Sequence, residues 1–337
     1  HHQPRRQRQM CIRDRLNGDQ GIANKIAMEA ICKMAAVQSA NELIDVTKGH
    51  IDGCILAHDA NLIFAEKMYK LGANVSIPTT INAISVNLNN WENQGVEPDF
   101  GNKASRLANA YQKMGAHPTY TCAPYLLENK PQRDEVIGWS ESNAVIYANS
   151  ILGAKTQKHP DYLDLFIAMT GRAPKAGLYL TENRIPKIEI SIHLPTDFDD
   201  SIWPMLGWLI GDLSPNKIPL VTGLEMTSPS DDDLKALCAA FGTTSAAPML
   251  HINGHTPGKV YSIPSKLKNF NITKKHLAKL WNKFNYADLR VDLVAIGSPH
   301  ASLTECQSFV KFFDGKNCNP NVKTIITIGR DILSKAC

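Results

Sequence analysis

Residues 219–224 read PLVTGL, and residues 231–241 read DDDLKALCAAF. The first is a short apolar run closed by glycine, which reads as a buried strand. The second opens on three aspartates, which suit a helix N-terminus because carboxylates meet the positive end of the dipole there. The pattern recurs downstream. PMLHING (248–254), VDLVAIGSPH (291–300) and KTIITIGR (323–330) are apolar runs ending in glycine and polar residues, and SLTECQSFVKFF (302–313) reads as a helix. Strand, polar turn and helix in alternation define an α/β fold with a largely parallel sheet. Ligands in such folds sit beyond the carboxyl ends of strands. His251, Asn253, His255, Ser298, His300 and Arg330 fall at such ends.

The first half fits the same class. Ile22, Ile26, Ala30, Met34 and Val37 recur at helical spacing over 20–40. ELIDVTKGHIDGC (42–54) reads as a strand running into a glycine-broken turn, and residues 61–71 as a helix stopped by Gly72. NVSIP (74–78) is a predicted strand, followed by Thr79, Thr80, Ile81 and Asn82. Residues 103–114, 139–152 and 160–170 are predicted helices, the middle one with a polar face. Residues 86–102 and 181–200 read as loops and candidate boundaries.

The 337 residues hold 36 Lys+Arg against 32 Asp+Glu, a net charge of +4. The first fifteen, HHQPRRQRQMCIRDR, carry five arginines and one aspartate, the whole of that excess. The remaining 322 residues therefore balance, which removes the charge argument for nucleic acid or an anionic membrane. Residues 1–15 resemble translated adapter sequence and are expected to lie outside the fold, leaving 16–337 as the folded region. A hydrophobic fraction of 43% is ample for a core, and no apolar run reaches the ~18 residues of a membrane span. Eight scattered cysteines without a CxxC pair argue against a disulfide framework and fit a reduced, cytoplasmic protein. The chain stops where a helix is beginning after KTIITIGR, so a C-terminal truncation is expected.

No dinucleotide or phosphate-binding glycine loop, HExxH or GxSxG is present. Cys122 in TCAPY (121–125) is either a buried structural thiol or a ligand to iron. SESNAVIYANS (140–150) concentrates Glu141, Ser142, Asn143, Asn149 and Ser150 in eleven residues. Serine and asparagine are poor helix-interior residues, so this density points to a ligand-binding face rather than a solvated one. Ser142 and Asn149 are two turns apart and are expected to share that face. PTTIN (78–82) offers Thr79, Thr80 and Asn82 as pocket residues or as turn chemistry. Arg172 in TGRAP either clamps a carboxylate or complements a helix dipole. HIDGC (50–54) and HINGH (251–255) pair histidine with acid or amide.

The ordered strings HIDGC, PTTIN, TCAPY, ESNAVIYANSILGA, TGRAP, VTGL, HINGHTP and GSPHASLTE resemble the catalytic large-subunit region of aconitase X over roughly 20–330. The resemblance implies an aconitase-like α/β body and hydro-lyase chemistry on a hydroxy acid. It also implies an iron–sulfur cluster (2Fe–2S or 4Fe–4S) or iron. A swivelling lid domain, fused or supplied as a small subunit, belongs to the family and lies outside this chain. By matching strings, Cys122 is the implied iron ligand and Cys54 an alternative. His50, His300 and Ser298 are placed near the metal or in proton transfer. Thr79, Thr80, Asn82, Glu141, Ser142, Asn143, Asn149 and Ser150 are placed in the pocket, and Arg172 on a substrate carboxylate. Archaeal members carry cysteine where this chain has Ser298, which points away from the phosphomevalonate branch and toward cis-3-hydroxy-L-proline. Phosphomevalonate dehydration is the alternative, and a non-catalytic binding protein retaining the fold is the third reading. The local demand for positive charge is assigned to Arg172 and a metal centre.

Overall fold

The computed structural model describes residues 11–257, 266–286 and 290–336. Residues 1–10 of the expected tail fall outside these. Residues 11–17 are helical, and Arg15 Nη1 donates to the Thr170 carbonyl at 3.0 Å. In chain order the helices are α1 (Ile22–Val37), α2 (Asp59–Lys70), α3 (Pro98–Lys113), α4 (Ser142–Tyr147), α5 (Leu163–Thr170), α6 (Ile202–Leu213), α7 (Asp231–Thr244), α8 (Lys274–Phe284), α9 (Leu303–Phe313) and α10 (Arg330–Ala336). The strands are β1 (Leu43–Asp45), β2 (Gly49–Ile51), β3 (Thr79–Ile81), β4 (Gly138–Trp139), β5 (Arg172–Pro174), β6 (Ile188–Ile192), β7 (Pro219–Thr222), β8 (His251–Ile252), β9 (Lys268–Ile272), β10 (Leu293–Ala301) and β11 (Lys323–Ile328).

These elements form two compact units. The first takes residues up to 124, with 136–141 and 156–180; the second takes 125–135, 142–155 and 181 onward. The chain thus crosses between units several times, and a single boundary near 181–200 accounts for only part of the division.

In the first unit, β3-β2-β4 form a parallel sheet, with Gly49 paired to both Thr79 and Gly138 and His50 paired to both Thr80 and Trp139. Helix α5 packs on one face of it. Its sequence LDLFIAMT is wholly buried, so the helix is covered on every side. Glycine makes the close approach possible. A Cβ on Gly138 would lie 2.6 Å from Ile167 Cγ2, and one on Gly49 would lie 3.2 Å from Ala168 Cβ. Strand side chains alternate, so His50 and Trp139 point to the opposite face, with ring centroids 5.9 Å apart. Ile31, Ile51, Ile81, Leu107, Tyr111, Met114 and Leu165 fill the core of this unit. A separate antiparallel ribbon pairs β1 with β5.

The second unit holds a four-stranded parallel sheet, β8-β7-β6-β9, and a parallel pair, β10 and β11. The aspartates read as a helix start do open α7. Ser230 Oγ accepts from Asp233 N at 3.1 Å while Asp233 Oδ2 accepts from Ser230 N at 2.8 Å, a reciprocal capping box. Lys235, only 2% exposed, is held between Asp232 and Glu305.

Three expectations change. The 181–200 stretch is not a loop throughout, because IEISI alternates buried and half-buried side chains as the inner strand β6. Thr79–Ile81 is strand rather than turn, and strand character is absent from 74–78. The predicted helix over 139–152 divides into β4, α4 and a π-helical turn, Ala148–Leu152.

The close approach of α5 gives a direct test. Gly138→Ala is expected to lower the stability of the chain by about 1–3 kcal/mol, the usual cost of overpacking. Urea denaturation measures it, and an unchanged midpoint would contradict this account of the packing.

Candidate active site

The carboxyl ends of β2, β3 and β4 carry Asp52, Asn82 and the Ser140–Glu141 pair as the residues following each strand. Parallel register brings these ends level, so the three side chains meet. Asn82 is fully buried, and its Nδ2 donates to Asp52 Oδ1 and, at 3.0 Å, to Glu141 Oε2. Its Oδ1 accepts from Ala83 N at 2.7 Å. The amide is therefore fixed at both ends, and it holds two carboxyls on one nitrogen. Asp164, in the first turn of α5, lies underneath. Its Oδ2 accepts from Asp52 N at 2.6 Å and its Oδ1 from Leu165 N at 2.7 Å. His50 Nδ1 is 2.7 Å from Thr80 Oγ1, its cross-strand neighbour. Its other nitrogen, Nε2, is buried and has no hydrogen-bond partner among the described residues.

Burial dominates the electrostatics. It raises the Asp52 carboxyl well above the usual range, and the nearby charges of Glu141 and Asp164 add to it while the Asn82 hydrogen bond opposes. Asp164 is raised to about 6 by burial, against the pull of its two backbone donors. Burial lowers His50 to about 4, with Glu141 opposing, so the ring is neutral near pH 7. Lys158 is lowered by burial, and again Glu141 opposes. A carboxyl with a raised pKa beside a second carboxyl and a neutral imidazole is a set suited to proton transfer.

Four predicted residues come together here: His50, Thr80, Asn82 and Glu141. Cys122 comes to the same end of the sheet. The segment 117–121 runs alongside β3, with Thr119 Oγ1 and Thr121 N both donating to the Ile81 carbonyl. Thr79 faces the other way; its hydroxyl donates to Ile77 O at 2.8 Å and packs against Gly49. Cys54 is buried with its thiol donating to Ile51 O at 3.3 Å, and burial with the charges of Asp164 and Asp52 keeps that thiol protonated. Among the described residues no three His, Cys, Asp or Glu side chains converge as a metal site. Cys122 and Cys54 are two donors, without a third converging on them among the described residues.

Ser142, Asn143, Asn149 and Ser150 belong to the second unit. Ser142 is exposed and Asn149 is 2% exposed, so they do not share a face; the π-turn from Ala148 resets the helical phase. Asn143 Oδ1 accepts from Tyr125 OH at 2.8 Å. Asn149 binds Pro248 O and receives both Nη atoms of Arg184, on Oδ1 and on its carbonyl. Ser150 Oγ accepts from Leu250 N at 3.0 Å. These polar side chains knit the π-turn to the segment entering β8. Arg172 opens β5 directly across from Asp45, and its guanidinium pairs with that carboxylate and with Gly171 O. The carboxylate it meets is therefore the chain's own. Ser298, exposed, and His300, half-buried, lie in the second unit near the end of β10, where its register with β11 shifts.

Asp52, Asp164 and Lys158 were not singled out from sequence. Asp52 was visible as the acid of HIDGC. Asp164 was visible as the one charge inside an otherwise apolar helix, LDLFIAMT.

A polar, proton-carrying cluster at the carboxyl ends of a parallel sheet places the chain among α/β proteins with a ligand site of the enzyme kind. Comparison with known proteins narrows this. Sequence models of the aconitase X first, second and third domains match residues 11–182, 186–282 and 291–337. The chain belongs to the aconitase X family. It is 43% identical over 324 residues to cis-3-hydroxy-L-proline dehydratase of Hypocrea jecorina, covering 94% of this chain and 54% of that protein. It is 41% identical over 327 residues to the enzyme of the same name from Pseudomonas aeruginosa, covering 95% and 56%. The phosphomevalonate dehydratase large subunit of Thermococcus kodakarensis is 30% identical over 325 residues, covering 95% and 81%. The crystal structure of Thermococcus kodakaraensis aconitase X in its holo-form superposes with a TM-score of 0.88 at 28% identity, covering 96% of this chain and 82% of that one. The chain spans about half the length of the two hydroxyproline dehydratases. The aconitase-like α/β fold expected from sequence is confirmed by this superposition.

His50 supplies a pH test. Its folded value, about 4, lies below the 6.5 of an exposed histidine. Stability from the neutral ring is thus present above pH 6.5 and is lost as pH falls from 6.5 toward 4. The loss attributable to His50 is about 3 kcal/mol at most. Denaturation midpoints measured across that window are expected to fall in the wild type and to fall less steeply in His50→Gln. Parallel slopes would contradict the assignment.

Proposed function

We propose that this chain carries the site of a hydro-lyase that removes water from a small hydroxy acid, with cis-3-hydroxy-L-proline as its substrate. The observation that carries the reading is the Asp52–Asn82–Glu141 constellation, two carboxyls held on one buried amide. Loss of water from a β-hydroxy acid requires a base for the Cα proton and a proton for the departing hydroxide. Asp52, in its ionised form a stronger base than an exposed carboxylate, takes the Cα proton and, as the resulting acid, returns a proton to the departing hydroxide, so that water leaves. Asn82 fixes the position of that carboxyl. His50 offers a neutral ring nitrogen at the same face. The identity to the two hydroxyproline dehydratases supports this substrate over phosphomevalonate, whose dehydratases are 27–30% identical. An excess of acids in the cluster also disfavours a phosphate.

A partner is part of the proposal. Several relatives are named as large subunits, and this chain spans about half of the hydroxyproline dehydratases. A small swivelling subunit or further domain would close over the carboxyl ends of β2–β4 and exclude water.

Incubation with cis-3-hydroxy-L-proline, together with any partner, is expected to yield a product lighter by one water in mass spectrometry. Asp52→Asn is expected to lower kcat by roughly 10²- to 10⁴-fold, the range for a lost general base. Water loss from phosphomevalonate alone, or an Asp52→Asn variant with wild-type kcat, would overturn the reading.

A further inference from the structure

Helix α5 reads LDLFIAMT, and every side chain in it is buried. Its one charged residue, Asp164, is fully buried with the rest. Burial works against that carboxyl, and its two backbone donors offset the penalty only in part. An apolar side chain at 164 would suit a helix covered on every side. What the carboxyl gains is two N–H groups. Leu165 N belongs to its own helix, whereas Asp52 N, at 2.6 Å, comes from far back in the chain. The pairing of β2 ends at Ile51 on the β3 side and at His50 on the β4 side. The Asp52 N–H therefore lies just past the ladder, where a donor out of water needs an acceptor from elsewhere. Asp164 supplies it from a rigid mount, because α5 is pressed onto the sheet at Gly49 and Gly138, neither of which has room for a Cβ. Asp52 is thus fixed at both ends. Asn82 Nδ2 holds its carboxyl, and Asp164 Oδ2 holds its backbone.

We propose that Asp164 is a positioning residue of this site: by anchoring the Asp52 N–H to α5 it sets the direction from which the Asp52 carboxyl meets the substrate. The inference rests on the hydro-lyase reading, in which Asp52 moves the proton, and adds a residue that acts through Asp52. One hydrogen bond to the carboxyl restrains where it lies but leaves the backbone free to pivot at the strand end. A second bond, on the other side of Cα, removes that pivot. A reacting group displaced by about 1 Å loses roughly 10²-fold in rate. The effect of the anchor belongs in kcat, because it bears on the reacting geometry rather than on contacts that bind the substrate.

Two measurements on the 337-residue chain test this: turnover of cis-3-hydroxy-L-proline, with any partner required, and hydrogen exchange of the Asp52 amide read by NMR. Asp164→Ala, which removes both acceptors, is expected to lower kcat by roughly 10- to 100-fold with KM within about threefold of wild type. The Asp52 amide is expected to exchange roughly tenfold faster in that variant. Asp164→Asn can accept from one N–H only, and without the charge. It is expected to lose roughly three- to tenfold in kcat, and it carries the test should Asp164→Ala fail to fold. Ile167→Val trims the same helix where it meets Gly138. It is expected to keep kcat and the Asp52 exchange rate, which separates anchoring from a general loosening of α5. Wild-type kcat in the Asp164 variants, a loss confined to KM, or an equal loss in Ile167→Val would overturn the proposal and leave the hydro-lyase reading standing. Absence of dehydration in the wild type sinks that reading, and exchange then decides: a faster Asp52 amide in the Asp164 variants keeps the anchor, and an unchanged one removes it.

Discussion

A single amide nitrogen, Nδ2 of Asn82, spends both of its hydrogens on carboxyl groups that arrive from two other strands. Much of the first unit serves that arrangement. Parallel pairing of β2 with β3 and β4 brings the three strand ends level. Gly49 and Gly138 let α5 close on the sheet from one side, which sets Asp164 under the Asp52 amide. His50 and Trp139 stand on the opposite side. Two carboxyls so close repel when both are charged, and burial strengthens the repulsion. The result is a raised Asp52 and a site with a standing demand for a proton or a cation.

With the N-terminal arginines set aside, the chain is neutral, and its local need was assigned to positive charge at Arg172. The structure instead spends Arg172 on Asp45 across the β1–β5 ribbon, where antiparallel register sets them opposite one another. What is concentrated at the strand ends is carboxyl groups, with the buried Asp52 raised to about 8.

The sequence was informative where short-range rules apply. Apolar runs closed by glycine gave the α/β class, and the Asp231–Asp233 start of α7 was read correctly. His50, Thr80, Asn82 and Glu141 were singled out and do come together. Failures came where tertiary context decides. IEISI lies between loop-forming segments and was read with them, although its alternation is that of a half-buried strand. A uniform helical period over ESNAVIYANS puts Ser142 and Asn149 on one face, an arrangement that the structure does not keep. The chain passes from one unit to the other between Glu141 and Ser142, and the π-turn then shifts the phase. The polar side chains of Asn149 and Ser150 are explained by the backbone groups of 248–250 that they satisfy. Asp164 escaped notice because a lone acid in an apolar helix carries no motif; its role exists only once Asp52 N lies above it.

The most direct test of the account is a crystal structure of this chain, with any partner it requires, bound to cis-3-hydroxy-L-proline or its dehydrated product. Cα is predicted to face Asp52, with both carboxyls still held by Asn82. A ligand seated away from the ends of β2–β4, against Arg172 or the Ser298–His300 segment, would contradict it.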